Sequence, residues 1–199
     1  MTRRRVVASV GIALFAVAGV ALGWSWITYP SDRTPEGAYL RVMSAVNRGK
    51  PEAFFAYLET DAQHACYTIK SYRQKARDRV ARAYPEPERT RLLDEYAPEA
   101  DAPDGADVFA LYARRRGWLD RLRRDVTGIA KVEINGERAS VQTVRGTRYP
   151  FRRRDNGIWG LTLFTATLVS EAEKAARDTE MIEKAAADYE RVRGVEVRP

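Results

Sequence analysis

Residues 129–165 read IAKVEINGERASVQTVRGTRYPFRRRDNGIWGLTLFT, and their apolar positions recur with a period of two. Ile129 to Ile134 stops at Asn135-Gly136, Arg138 to Val144 at Arg145-Gly146, and Arg148 to Arg154 at Asn156-Gly157; Ile158 to Thr165 closes the run. Asn-Gly between alternating segments is a strong hairpin signal because both residues tolerate positive φ. Four antiparallel strands in meander order are predicted. Val132, Ile134, Val141, Tyr149, Phe151, Trp159, Leu161 and Leu163 form the apolar face, the side that such a sheet turns to a core. Arg138, Arg145, Arg148, Arg152, Arg153 and Arg154 crowd the strand ends and the other face.

Upstream the period is helical. Thr34-Pro35-Glu36 reads as an N-cap, a proline at the first helical position and an acidic first turn, and Gly49 is the stop. Pro51-Glu52 starts a second short helix loaded with Phe54, Phe55 and Leu58. From Asp61 to Tyr84 a long amphipathic helix is predicted, with Ala65, Ile69, Tyr72, Ala76, Val80 and Ala83 on its apolar stripe and His64 at its polar edge. Residues 85–105 hold four prolines and many acids, and read as an insertion: a surface loop or a lid, with at most a short helix at Leu92, Leu93 and Tyr96. A further helix spans Ala106 to Val126, interrupted at Arg114-Arg115-Arg116-Gly117.

Downstream of the strands, Leu168, Ala172, Ala175, Thr179, Ile182, Ala186 and Tyr189 repeat at spacings of four and three. Ser170 to Glu173 reads as a capping box and Gly194 as a C-terminal stop. A seam of small residues suits close packing, either on the domain's own sheet or on a second copy of the chain.

Val6 to Ile27 is 22 residues without a charge, behind Arg3, Arg4 and Arg5. A helix of that length rises roughly 33 Å, enough for a hydrocarbon core of about 30 Å. The basic flank places the N-terminus in the cytoplasm, and Trp24, Trp26 and Tyr29 suit the outer headgroup level. A cleaved secretory signal ending at Ala21-Leu22-Gly23 is the rival reading, although the run is longer than a usual signal core. The predicted organisation is a cytoplasmic stub (1–5), a transmembrane signal-anchor helix (6–28), a linker (29–33), an extracytoplasmic domain (34–194) and a tail (195–199). The expected location is a bacterial inner membrane, with the domain periplasmic or extracellular.

The 199 residues carry a net charge of +7, 31% charged side chains and 10% aromatics, a composition suited to one packed domain plus accessories. Cys66 is the only cysteine and His64 the only histidine. An intrachain disulfide is thereby excluded, and zinc or Ser-His-Asp chemistry has almost no raw material. No metal and no cofactor is expected. Arginine supplies most of the positive charge, and its fork suits phosphate or carboxylate. Arg114, Arg115, Arg116, Arg148, Arg152, Arg153 and Arg154 are the candidate anion-binding residues.

The helix pair ending in SAVNRGKPEAF (44–54), followed by more helix and then a bent meander, resembles the NTF2-like superfamily. The resemblance runs from about residue 34 to residue 165 and implies an α+β fold in which a curved four-stranded sheet wraps a long helix into a cone. Cones of this kind host isomerase-like enzymes, ligand carriers and noncatalytic assembly domains, so fold alone leaves function open. Enzymatic members place an acid, a histidine or tyrosines inside the cone. The residues implied here are Tyr39, Asp61, His64, Tyr67 and Tyr72, with no catalytic motif among them. The first functional expectation is a noncatalytic, membrane-tethered interaction or assembly domain with a protein partner or a second copy of itself. The alternatives are a small-molecule binder or proton-transfer enzyme working in the cone, and an anionic lipid or polymer binder using the arginine surface; nucleic acid is not expected.

Overall fold

A computed structural model describes residues 30–196 of the chain. Helix α1 spans Pro35–Asn47, and the Thr34 hydroxyl accepts the Gly37 N–H at 3.2 Å to cap it. Pro51–Tyr57 forms a 3-10 helix rather than an α-helix. Helix α2 (Thr60–Ala83) follows, then α3 (Glu88–Ala100), α4 (Gly105–Arg115) and α5 (Trp118–Asp125). The break between α4 and α5 falls at Gly117, whose φ of 63° lies in the left-handed region that glycine adopts without strain. Strands β1 (Ile129–Asn135), β2 (Arg138–Thr143), β3 (Arg148–Arg153) and β4 (Trp159–Leu161) form one antiparallel sheet in the order β1-β2-β3-β4. Helix α6 (Thr165–Glu196) ends the described chain.

The meander lies where the hairpin signals place it. Its register sets Val132 beside Val141 and Tyr149, and Ile134 in line with Ala139, Phe151 and Leu161. Val141, Tyr149, Phe151, Trp159 and Leu161 are buried as expected, but Ile134, on the edge strand, is 59% exposed, and Leu163, past the end of β4, is 45% exposed.

Two packed regions result. In the first, α1, the 3-10 helix, the N-terminal half of α2, α4, α5, the start of α6 and the sheet enclose an aromatic interior. Phe109 has ring centroids of Phe54, Phe55, Phe164 and Trp118 between 5.1 and 6.2 Å away, and Trp118 stacks on Phe164 at 4.5 Å. The second lies among α2, α3 and α6, where Ala76, Val80 and Ala83 meet Leu92, Tyr96, Ile182 and Ala186. Alanine on both α2 and α6 lets their axes approach closely, and Arg79 pairs across them with Glu183 (2.8 Å) and Glu190 (2.5 Å).

Several expectations change. The cone is not formed: long helix α2 packs chiefly on α6 and then on α3, while the sheet's apolar face meets α1. An NTF2-like arrangement needs the long helix inside the curved sheet, and here the aromatic interior fills that space. Among the described residues no helix is long and apolar enough to cross a membrane. The transmembrane helix assigned to 6–28, the stub before it and the inner-membrane location inferred from them fall outside the described residues, so the fold described is α+β without a membrane span. The region 85–105 is mostly the ordered helix α3, held by buried Leu92, Tyr96 and Ala100. The α6 seam is buried at Leu168, Ala172, Ala175, Thr179, Ile182 and Ala186, but against α2 and not against the sheet. Ser170 lies inside α6, which begins at Thr165. Burying Phe164 and Leu168, about 1.5–3 kcal/mol each, outweighs a capping preference of about 1 kcal/mol.

Gly160 joins sheet and helices. A Cβ there would lie 2.8 Å from the Cα and N of Glu59 and from the Leu58 carbonyl oxygen, all backbone atoms that cannot swing aside. Gly160→Ala is expected to lower the unfolding free energy by about 1–3 kcal/mol, read as a fall in the urea midpoint; an unchanged midpoint would contradict this contact.

Candidate functional site

Four places on the described surface bring polar side chains together. The first is a cleft of ≈ 530 Å³ on the outer face of the sheet, bounded by Glu59, Glu133, Arg138, Ser140, Pro150, Arg152 and Thr162. Glu59 is 7% exposed, and its carboxylate accepts from Arg152 at 3.2 Å and from the Thr165 hydroxyl at 2.8 Å. Beside it, around Thr60 and Asp61, lie Arg153, Arg154 and Asp155.

The second is a groove of ≈ 490 Å³ between α2 and α6, lined by Asp61, His64, Thr68, Tyr72 and the small apolar Ala65, Val169, Ala172 and Ala176. It gathers three of the five residues proposed from sequence. Asp61 and His64 are both exposed to solvent. Tyr67 lies outside the groove with its ring edge on Phe55, and Tyr39 is in the core, its hydroxyl donating to the Thr127 carbonyl at 3.0 Å.

The third is an ion-pair network around a hollow of ≈ 410 Å³. Arg73, 8% exposed, bonds Asp178 at 2.8 Å and places its guanidinium 4.8 Å from the Tyr96 ring centre. Arg115 pairs with buried Glu99, and Arg116 with Glu171, which also accepts from the Tyr112 hydroxyl at 3.4 Å. Two members of the arginine triplet thus neutralise carboxylates of the same chain, and Arg114 faces Glu52 at 3.4 Å. On β3, Arg152 is held by Glu59 and Arg153 faces Glu137 at 3.9 Å, and just past it Arg154 donates to the Ala56 carbonyl at 2.7 Å and to Gln63 at 3.1 Å. Arg148 lies near enough to Glu133 to help hold that carboxyl below its usual range, after the larger effect of Lys131. The candidate anion-binding arginines are therefore divided among separate internal partners. Glu59, Arg73 and Glu99 went unrecognised in the sequence, where isolated charges on helix faces read as solvated.

The fourth place is the sheet edge. The outer side of β4 is covered: Leu58 bridges Leu161, the Glu59 N–H donates to the Leu161 carbonyl at 3.1 Å, and the Trp159 N–H to the Asp32 carbonyl at 3.3 Å. The outer side of β1 has no backbone partner among the described residues. None of the seven β1 residues is buried.

Burial pushes the Cys66 thiol up to about 12, leaving almost no thiolate at neutral pH. No cluster of three or more His, Cys, Asp or Glu fit to hold a metal ion occurs among the described residues. Compared with protein families, curated proteins and solved structures, the chain matches none, so the NTF2-like resemblance receives no support.

Six tyrosines are shifted upward with burial as the first cause: Tyr39, Tyr57, Tyr84, Tyr96, Tyr112 and Tyr149. Tyr84 is pushed up to about 12, with Glu88 adding to burial, and Tyr149 is held up further by its 2.7 Å bond to Asp125. Folded and unfolded chains both keep these phenols neutral below the ordinary value of 10, and that stability is fully present there. Above it the unfolded chain releases protons that the folded chain retains, so stability falls as pH rises toward the folded values. The urea midpoint is expected to decline from about pH 10 upward, and Tyr84→Phe to make that decline shallower; equal slopes in both chains would contradict the assignment.

Proposed function

We propose that the folded body of this chain is a noncatalytic interaction domain that assembles with protein through the exposed side of its sheet. The observation that carries the reading is the asymmetry of the sheet: one edge is sealed by the chain's own Leu58 and Glu59, while the other is open along β1. An open edge offers N–H and C=O groups to a partner strand, and main-chain pairing of this kind supplies affinity without a pocket. The filled aromatic interior favours the same reading over a ligand-binding cone, because Phe54, Phe109, Trp118 and Phe164 occupy the volume that a small molecule would need. The ion pairing of Arg115, Arg116 and Arg152 weighs against an anionic polymer as the main partner.

Chemical crosslinking of the full chain, both in cells that make it and after purification, tests the reading. Covalent adducts heavier than the 22.5 kDa chain are expected to contain peptides of β1. If no adduct forms through β1 under either condition, the interaction reading is withdrawn.

A further inference from the structure

We infer that the open β1 edge pairs antiparallel with β1 of a second copy of this chain, across a two-fold axis at Val132. The inference rests on the interaction reading above and names its partner.

The phase of the ladder determines which groups face outward. Thr162 donates to the Pro150 carbonyl at 3.0 Å and Arg154 to the Ile158 carbonyl at 2.9 Å, so alternate β3 residues 150, 152 and 154 bond toward β4. Antiparallel ladders alternate hydrogen-bonded and non-bonded pairs. With the observed registers, Ala139 and Val141 of β2 then bond toward β3, and Ser140 and Gln142 toward β1. Lys131 and Glu133 therefore bond inward to β2, and Val132 and Ile134 direct their N–H and C=O to the open side. The Asn135-Gly136-Glu137-Arg138 turn gives the same phase, since a two-residue hairpin closes on a hydrogen-bonded pair at Asn135 and Arg138.

Only a few self-pairings use these groups. A two-fold at Glu133 would set Glu133 directly against Glu133 of the other copy, an unfavourable pairing of like charges. A two-fold at Val132 exchanges two bonds between the Val132 residues and sets Lys131 opposite Glu133 of the other copy, twice by symmetry. Within one chain the Lys131 ammonium already lies 2.6 Å from the Glu133 carboxylate, so the edge carries no net charge to repel a copy of itself. The usual defence of an edge strand by a lone lysine is thus cancelled by its neighbour. The irregularity between Ile129 and Lys131 confines regular pairing about the Val132 axis to Lys131, Val132 and Glu133, a short symmetric ladder and not an open-ended one. Ile134, 59% exposed, would lie just past the end of this ladder, beside the irregularity at Ala130 of the other copy, and lose contact with water.

Sedimentation equilibrium of the full chain, with detergent present to keep the apolar N-terminal run from aggregating, reads the dimer. Lys131→Glu or Glu133→Lys alone is expected to weaken dimerisation roughly tenfold or more, since both symmetric pairs become like-charged. The Lys131→Glu/Glu133→Lys double variant is expected to restore it to within about threefold, because the opposed charges are merely exchanged. Val132→Pro removes an outward N–H that β2 does not use and is expected to abolish the dimer while circular dichroism shows the fold retained, with some fall in melting temperature from the lost packing of its half-buried side chain. The inference is overturned if the wild-type chain is monomeric, if the double variant fails to recover, or if Val132→Pro dimerises like wild type with its fold intact. A monomeric chain that still crosslinks through β1 to a different protein overturns the self-pairing and leaves the interaction reading standing; absence of any β1 adduct removes both.

Discussion

Glu59 is the residue on which sheet and helices are joined. Its backbone lies against Gly160 at a distance that admits no side chain, its N–H continues the β4 ladder, and its carboxylate is shared between Arg152 on β3 and Thr165 at the start of α6. Helix α2 begins at the next residue. A carboxylate at 7% exposure costs several kcal/mol of desolvation unless its oxygens are satisfied, and here both have a donor. One short stretch thereby orients β4, α2 and α6 together, and this seals one edge of the sheet.

The open side of the sheet follows from the same constraint. A four-strand meander has two edges, and the chain supplies cover only where Leu58 and Glu59 run alongside β4. Strand β1 is half-buried or exposed along its whole length because the helices are committed elsewhere: α1 to the apolar face, and the C-terminal parts of α2 and α6 with α3 to a second core. A domain so arranged has its aromatic interior filled and several of its arginines paired within the chain, while the backbone groups of β1 stay open.

The polar network at Arg73, Glu99, Arg115, Arg116 and Glu171 has a structural account as well. It lies where α2, α3, α4 and α6 converge, and buried Arg73 and Glu99 each meet an opposite charge. Removing one member would strand its partner in low dielectric, a larger loss than the net value of the pair. Such clusters specify which helix faces meet, because an alternative packing would leave the same groups unpaired.

Local pattern alone determined much of this. The period of two with Asn-Gly turns placed all four strands, the cap at Thr34 started its helix, the interruption at Gly117 marked where α4 and α5 part, and the four-three spacing of Leu168 to Ala186 identified the buried seam of α6. These features depend on neighbours a few residues apart, and so they are written in the sequence. The partners of each face are not, because they are chosen by contacts far along the chain. For that reason α6 packs on α2 and not on the sheet, α3 is an ordered helix and not a loop, and the arginines that read as a free basic surface are spent on Glu59, Glu99 and Glu171. Only the tertiary structure could decide which sheet edge stays open, since the cover for β4 comes from residues about a hundred positions away, and a distant segment competes for an edge through the whole packing of the domain.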